Sequence, residues 1–109
     1  MTAMAYVMRT EVRKVAKLAH LLISDGWCKG ALATDRFGRP ATTRCADACQ
    51  WSLVGALKAA CMRLHGRDWA PVMRAARNAL APVCGRDLTE WNDSPGRWKG
   101  EVLDVLEGL

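Results

Sequence analysis

The sequence predicts an all-α fold: a compact, single-domain bundle of about four helices over residues 1–109, with a long loop after the first helix. Alanine is abundant and β-branched residues are sparse, which favours helix over strand. Apolar residues recur every three or four positions in several separate segments. The chain has 109 residues, half of them apolar, which suits one domain with one core.

The first helix is predicted over about residues 7–24, and Asp25-Gly26 marks its end. One apolar face of this helix is expected to pack in the core: Val12, Val15, Ala16, Ala19, Leu22 and Ile23. Residues 27–42 are predicted to be irregular, because glycine and proline interrupt any regular element there. We expect Trp27 and Phe37 to anchor this loop to the core; the alternative is a binding loop.

A second helix is predicted over about residues 43–64, begun by Thr42-Thr43 and ended by Gly66. It contains the segment Trp51-Ser52-Leu53-Val54-Gly55-Ala56-Leu57. A glycine in mid-helix costs about 1 kcal/mol relative to alanine. Gly55 therefore predicts that a neighbouring helix or an indole ring lies against the bare backbone, and the alternative is a substrate that approaches it.

The third helix is predicted to begin after a cap at Asp68 and to close at Ala81-Pro82. A connection over residues 83–93 then leads to a fourth helix at about residues 95–107. We expect Trp98 to lie in the buried seam of that last helix.

The segment before the last helix, Trp91-Asn92-Asp93-Ser94-Pro95, has the composition of a helix start. Asp93 and Ser94 can accept hydrogen bonds from the unpaired N–H groups of a first turn, and Pro95 suits the first helical position. We therefore predict a structural motif made of Trp51, Ser52, Gly55, Trp91, Asn92, Asp93 and Ser94. The alternative is that Asn92 and Asp93 belong to a catalytic or ligand-binding site.

The net charge of +5 is unevenly distributed along the chain. Residues 1–44 carry eight basic and three acidic side chains, residues 58–86 carry six and one, and residues 87–109 carry two and six. A basic surface attracts nucleic acid or an acidic protein, and the alternative is a solvated surface with ion pairs. The candidate binding residues are Arg9, Arg13, Lys17, Arg74 and Arg77.

Reactive side chains are present but form no recognisable catalytic pattern. Cys45 with Cys49, and Cys61 with His65, have the i, i+4 spacing that lets two side chains on one helix bind a metal. On one helix the two pairs would lie about 24 Å apart, so we expect buried thiols rather than a zinc site. As a nucleophile and base, Cys61 and His65 lack an identifiable orienting third group. We predict no catalytic residue, no metal and no cofactor.

The five cysteines are an odd number, which does not suit a secreted disulfide framework. The N-terminal residues lack a signal-peptide pattern, and no uncharged run approaches the roughly 20 residues of a membrane span. The chain is therefore expected to be cytoplasmic, with no membrane association.

Three segments together resemble a family of small uncharacterised bacterial and phage proteins: Gly26-Trp27, Trp51-Ser52-Leu53-Val54-Gly55-Ala56-Leu57 and Trp91-Asn92-Asp93-Ser94-Pro95, with Glu101-Val102-Leu103 near the end. The pattern of that family is Gly-Trp, then Trp-Cys-x-x-Gly-Ala-Leu, then Trp-Asn-Asp before a terminal helix. Ser52 stands here in place of the cysteine. The resemblance implies a helical fold and an origin in a phage or prophage, and it implies no activity.

Three functions follow from these observations. The first is a small non-enzymatic module that binds a host or phage protein, for example as an anti-CRISPR-like inhibitor of a host defence system. The second is a nucleic-acid-associated regulator that uses the basic surface. The third is a small enzyme or ligand-binding domain around Trp91-Asn92-Asp93.

Overall fold

The computed structural model describes residues 3–109, and their side chains from residue 7 onward. These residues contain five α-helices and a small β-sheet. The elements in chain order are α1 Ala3–Asp25, β1 Ala33–Thr34, β2 Pro40–Ala41, β3 Gln50–Trp51, α2 Leu53–His65, a 3₁₀ turn Gly66–Asp68, α3 Trp69–Cys84, α4 Leu88–Asp93 and α5 Lys99–Glu107. The strands form an antiparallel sheet in the order β2-β1-β3. The prediction of a helical fold is therefore right in its main part, but the fold is not strictly all-α.

Helix α1 is the long element around which the other helices pack. It contacts α2, α3 and α5, and the predicted helix over residues 7–24 is confirmed. Most of its predicted apolar face lies in the core, with Leu22 only partly buried. The other fully buried large residues come from α2, α3, α4 and α5: Leu53, Leu57, Cys61, Leu80, Leu88, Asn92 and Val102.

The segment over residues 43–52 is not helical, contrary to the prediction that α2 begins near Thr43. These residues form turns and strand β3. The Trp51 N–H donates to the Gly26 carbonyl at 2.9 Å, and the Cys28 N–H donates to the Trp51 carbonyl at 3.2 Å. These long-range hydrogen bonds hold the segment extended and outweigh the helix propensity of its alanines.

Helix α2 begins after Ser52, whose Oγ accepts a hydrogen bond from the Gly55 N–H at 3.0 Å. The Leu32 carbonyl accepts from the Ser52 N–H at 3.0 Å and from the Ser52 Oγ at 3.2 Å. A Cβ on Gly55 would lie 1.8 Å from the Leu32 oxygen. The predicted close approach at Gly55 is therefore present, but a loop carbonyl makes it, not a neighbouring helix or an indole.

The C-terminal half differs from the prediction in its helix boundaries. The 3₁₀ turn leads directly into α3, and the Asp68 side chain makes no capping hydrogen bond to it. Helix α3 does not close at Pro82 but continues to Cys84. The expected connection over residues 83–93 contains α4, whose start is capped by Asp87 accepting from the Glu90 N–H at 2.9 Å. Trp98, expected in the core, is 63% exposed.

No helix in the described part of the chain is both long enough and apolar enough to cross a membrane.

Candidate functional site

Asn92, in the last turn of α4, is the centre of the predicted Trp-Asn-Asp motif and is fully buried. Its Oδ1 accepts hydrogen bonds from Trp27 Nε1 at 2.8 Å and from the Leu53 N–H at 3.0 Å. Its Nδ2 donates to the Cys28 carbonyl at 3.1 Å and to Asp93 Oδ1 at 2.9 Å. A side-chain amide offers two donors and two acceptor lone pairs, so these contacts use its whole hydrogen-bonding capacity.

This amide joins three segments that are distant in sequence: the loop after α1, the start of α2 and the end of α4. The Leu53 N–H belongs to the first turn of α2, where backbone donors lack partners within the helix. Asn92 and Ser52 therefore both supply acceptors to the first turn of α2. The motif therefore does supply acceptors to the backbone N–H groups of a helix start, as predicted, but that helix is α2 rather than the last helix.

Asp93 and Ser94 do not cap the last helix, contrary to the prediction. Asp93 Oδ1 accepts from the Gly30 N–H at 3.1 Å, and Ser94 Oγ donates to the Glu90 carbonyl at 2.8 Å. Pro95 and Gly96 form a turn, in which Gly96 has a φ of 81°. Such a φ is unfavourable for residues with a Cβ, so the chain turns here and the helix starts three residues later.

Helix α5 is fixed instead by Arg97 and Glu101. The Arg97 guanidinium lies 3.8 Å from the centre of the Trp91 ring, and its Nε donates to the Trp91 carbonyl at 2.9 Å. Arg97 also donates to Glu101 Oε2 at 2.9 Å, and Glu101 Oε1 accepts from the Trp98 N–H at 3.2 Å. The Glu101 contact is the glutamate half of a capping box.

These contacts leave Asn92 no polar atom with which to bind a ligand, whereas Asp93 accepts from the Gly30 N–H and from the Asn92 amide through Oδ1 alone. A catalytic amide or carboxylate needs an open face toward the reacting group. The geometry therefore favours an architectural role for Asn92.

The cysteine and histidine candidates are not brought together. Cys45 and Cys49 lie in the turns before β3, whereas Cys61 lies in the buried face of α2. No cluster of three or more metal-ligating side chains occurs among the described residues. Burial raises the pKa of the Cys61 thiol to about 11, which opposes formation of a nucleophilic thiolate. The His65 Nε2 is 3.3 Å from Glu11 Oε2, within ion-pair distance but without hydrogen-bond geometry.

The five basic candidates are all exposed, on two helices: Arg9, Arg13 and Lys17 on α1, Arg74 and Arg77 on α3. Arg9 and Arg13 border a shallow groove of about 460 Å³ together with Ala75 and Ala79 of α3. Arg74 and Arg77 do not line that groove. The candidates therefore do not form one continuous basic stripe along this groove.

The hairpin tip, which we define as Asp35–Arg39 between β1 and β2, is an exposed turn within the segment that was predicted to be irregular. Phe37 was expected to anchor the loop, but it is 67% exposed. The Arg36 guanidinium lies 4.8 Å from the centre of its ring, and that of Arg39 lies 5.0 Å from it. The signal that was available is Asp-x-x-Gly, which is typical of a turn that displays its central residues.

Asp35 holds this tip in one conformation. Its carboxylate accepts from the Phe37 N–H at 2.8 Å, from the Arg39 N–H at 3.0 Å and from Arg39 Nε at 3.0 Å. The Gly38 N–H donates to the Asp35 carbonyl at 3.0 Å, with a φ of 78° at Gly38. The Arg39 N–H is the main cause that lowers the pKa of Asp35, with smaller contributions from the Phe37 N–H and the Arg39 guanidinium.

Residues 8–108 match the model of a protein family described as a family of unknown function, DUF6197. The match covers nearly the whole chain, so the protein belongs to this family. No curated protein and no solved structure matches the chain. The expected membership of an uncharacterised family is therefore confirmed.

Proposed function

We propose that this member of the DUF6197 family is a small, non-enzymatic protein-interaction module that contacts a host or phage protein through its hairpin tip. The observation that carries the proposal is Phe37, which is 67% exposed on a turn held by three hydrogen bonds to one carboxylate. Aromatic and arginine side chains are enriched among the residues that dominate binding energy in protein interfaces.

Rigidity of the tip supports a binding role. Ordering a flexible loop at an interface costs free energy, and a loop that already has its bound conformation avoids that cost. Asp35 supplies this order through its contacts to Phe37 and Arg39. Its lowered pKa means that the carboxylate stays ionised at neutral pH, so the turn keeps these contacts there.

The chemistry of the tip favours a protein partner over nucleic acid. Single-stranded nucleic acid binds aromatic residues by stacking a base on the ring face. The Arg36 and Arg39 guanidinium groups lie over the Phe37 ring, so they occupy part of the ring face on which a base would stack. The fitting partner has an apolar pocket for the exposed part of the ring and carboxylates around the pocket for the two guanidinium groups.

Within this class we propose a cytoplasmic inhibitor of a host defence system. The arguments are the resemblance to phage proteins and an odd number of cysteines that suits a reducing compartment. The architectural use of Asn92 is also consistent with a protein that acts by binding.

The test is affinity capture from host lysate with quantitative mass spectrometry, comparing the wild type with two variants. Phe37→Ala removes the exposed ring, and Val83→Ala is the matched control because Val83 is equally exposed at 67%. We expect a partner that the wild type and Val83→Ala retain and Phe37→Ala loses, with affinity reduced at least 30-fold, or about 2 kcal/mol. Equal retention by Phe37→Ala, or no specifically captured protein, would contradict the proposal.

A further inference from the structure

A groove of about 820 Å³ lies between α1 and the end of α5, far in sequence from the hairpin tip. Its apolar part includes Ala16 and Leu106, and Leu21 stands at its edge with 64% of its surface exposed. Contiguous exposed apolar surface that is rimmed by polar side chains is typical of a protein contact.

The two helices run antiparallel along this groove. Lys99, at the start of α5, donates to the Ser24 carbonyl at the end of α1, at 2.7 Å. Further along, His20 Nε2 lies 2.9 Å from Glu107 Oε1. These contacts fix which residues of α1 and α5 lie at the same height, by which we mean the same level along the two helix axes.

The two walls carry opposite charges. Lys17 and Arg13 line the α1 wall and are exposed, whereas Glu107 lines the α5 wall and has 62% of its side chain exposed. A two-fold axis parallel to the helices would place α1 of one copy opposite α5 of another at unchanged height. The basic α1 wall of each copy would then face the acidic α5 wall of the other copy, which is the self-complementarity that a two-fold interface requires.

We propose that this groove is a self-association surface, and that its occupant is a second copy of the chain related by such an axis. The α1 and α5 helices of the two copies form a four-helix arrangement. Lys17 of each copy faces Glu107 of the other, and Leu21 of each copy packs toward the apolar groove of the other. The proposal is independent of the hairpin tip.

The dimer is expected to be weak and salt-sensitive. Helix α5 has nine residues, about 14 Å of helix, so the contact belongs to the small class of interfaces, at which weak and transient complexes are found. Charges at its exposed rim are screened as ionic strength rises.

The experiment is sedimentation equilibrium of the full chain over a micromolar concentration series at low and high salt. The wild type is expected to dimerise reversibly, with weaker association at high salt. Lys17→Glu alone and Glu107→Lys alone each place like charges across both contacts, and each is expected to weaken the dimer about tenfold or more. An equimolar mixture of these two variants restores opposite charges at both contacts and is expected to recover wild-type association.

Leu21→Ser tests the apolar part, with Val83→Ser as the matched exposed control and Arg44→Glu as a charge control away from the groove. Helical circular dichroism of each variant verifies that it folds. Leu21→Ser is expected to abolish the dimer, and both controls are expected to retain it. A wild type that stays monomeric throughout, a dimer indifferent to Leu21→Ser, or charge variants whose mixture stays monomeric would each overturn the proposal.

Discussion

Replacement of Asn92 by alanine tests the central structural argument. The change leaves the Trp27 indole N–H, the Leu53 N–H and the Cys28 carbonyl without their partner. Each unsatisfied buried polar group costs about 1–3 kcal/mol. Since Trp27 and Cys28 are only partly buried, we take the lower part of that range and expect a loss of about 4 kcal/mol in the free energy of unfolding.

Such a loss is large for a domain of this size, whose total stability is typically about 5–15 kcal/mol. At about 4 °C or more for each kcal/mol, Asn92→Ala should lower Tm by roughly 15 °C or more. The measurement is urea unfolding followed by circular dichroism at 222 nm, because tryptophan fluorescence would itself respond to the lost contact of Trp27. Equal m-values are needed for the comparison.

Two further variants separate the parts of the network. Trp27→Phe removes one donor and should cost about 1 kcal/mol. Asn92→Asp keeps both acceptors, loses both donors and places a buried charge beside Asp93. It should therefore be strongly destabilised at neutral pH and partly recover at acidic pH, when a protonated carboxyl can donate again. An Asn92→Ala protein within about 1 kcal/mol of the wild type would refute the architectural interpretation.

Three other changes test the helix start and the buried thiol. Gly55→Ala should cost about 3 kcal/mol or more in urea unfolding, despite the better helix propensity of alanine, because its Cβ would lie 1.8 Å from the Leu32 oxygen; a stabilised variant would contradict this. Ser52→Ala should cost about 1 kcal/mol by the same assay, and Ser52→Thr, which keeps the capping oxygen, should cost less; equal losses would argue against the cap. For Cys61, whose pKa burial raises from 9.0 to about 11, iodoacetamide at neutral pH should label exposed Cys49 first, as peptide mass spectrometry would show. Rapid labelling of Cys61 would contradict its burial. The Cys61 thiol contributes fully to stability below the pKa of the same thiol in the unfolded chain. This contribution should be lost as pH rises towards 11, because the thiol of the unfolded chain ionises first.

The helices were predictable where local periodicity and packing agree. The apolar spacing in α1 identified Val15 and Ala19, both of which lie in the core. The start of α2 was not predictable in this way, since Thr43 is an equally good local cap. Ser52 is selected by long-range contacts: the bonds of Trp51 to Gly26 and Cys28, and the contacts to Leu32 and Asn92. The start of α5 was missed because the acceptor there is Glu101, which lies after the helix start.

The sheet and the hairpin tip depend on long-range contacts. Each strand has two residues, too few to show an alternating pattern. Pairing of Ala33 with Ala41 and Trp51 is a property of the folded chain. Phe37 looked like a core residue because it is large and apolar, yet the turn set by Asp35 directs it to solvent. Composition reports burial preference only on average.

The buried amide and the exposed tip are joined by one continuous set of contacts. Asn92 holds the Cys28 carbonyl, the Cys28 N–H bonds to the Trp51 carbonyl, and Trp51 pairs with Ala33 at the base of the hairpin. Loss of Asn92 should therefore loosen the tip and weaken partner binding together with stability. Phe37→Ala should weaken partner binding with unchanged stability, because an exposed ring contributes little to the core. If the Asn92→Ala protein is destabilised but binds the partner as tightly as the wild type, the tip keeps its conformation without the support of Asn92.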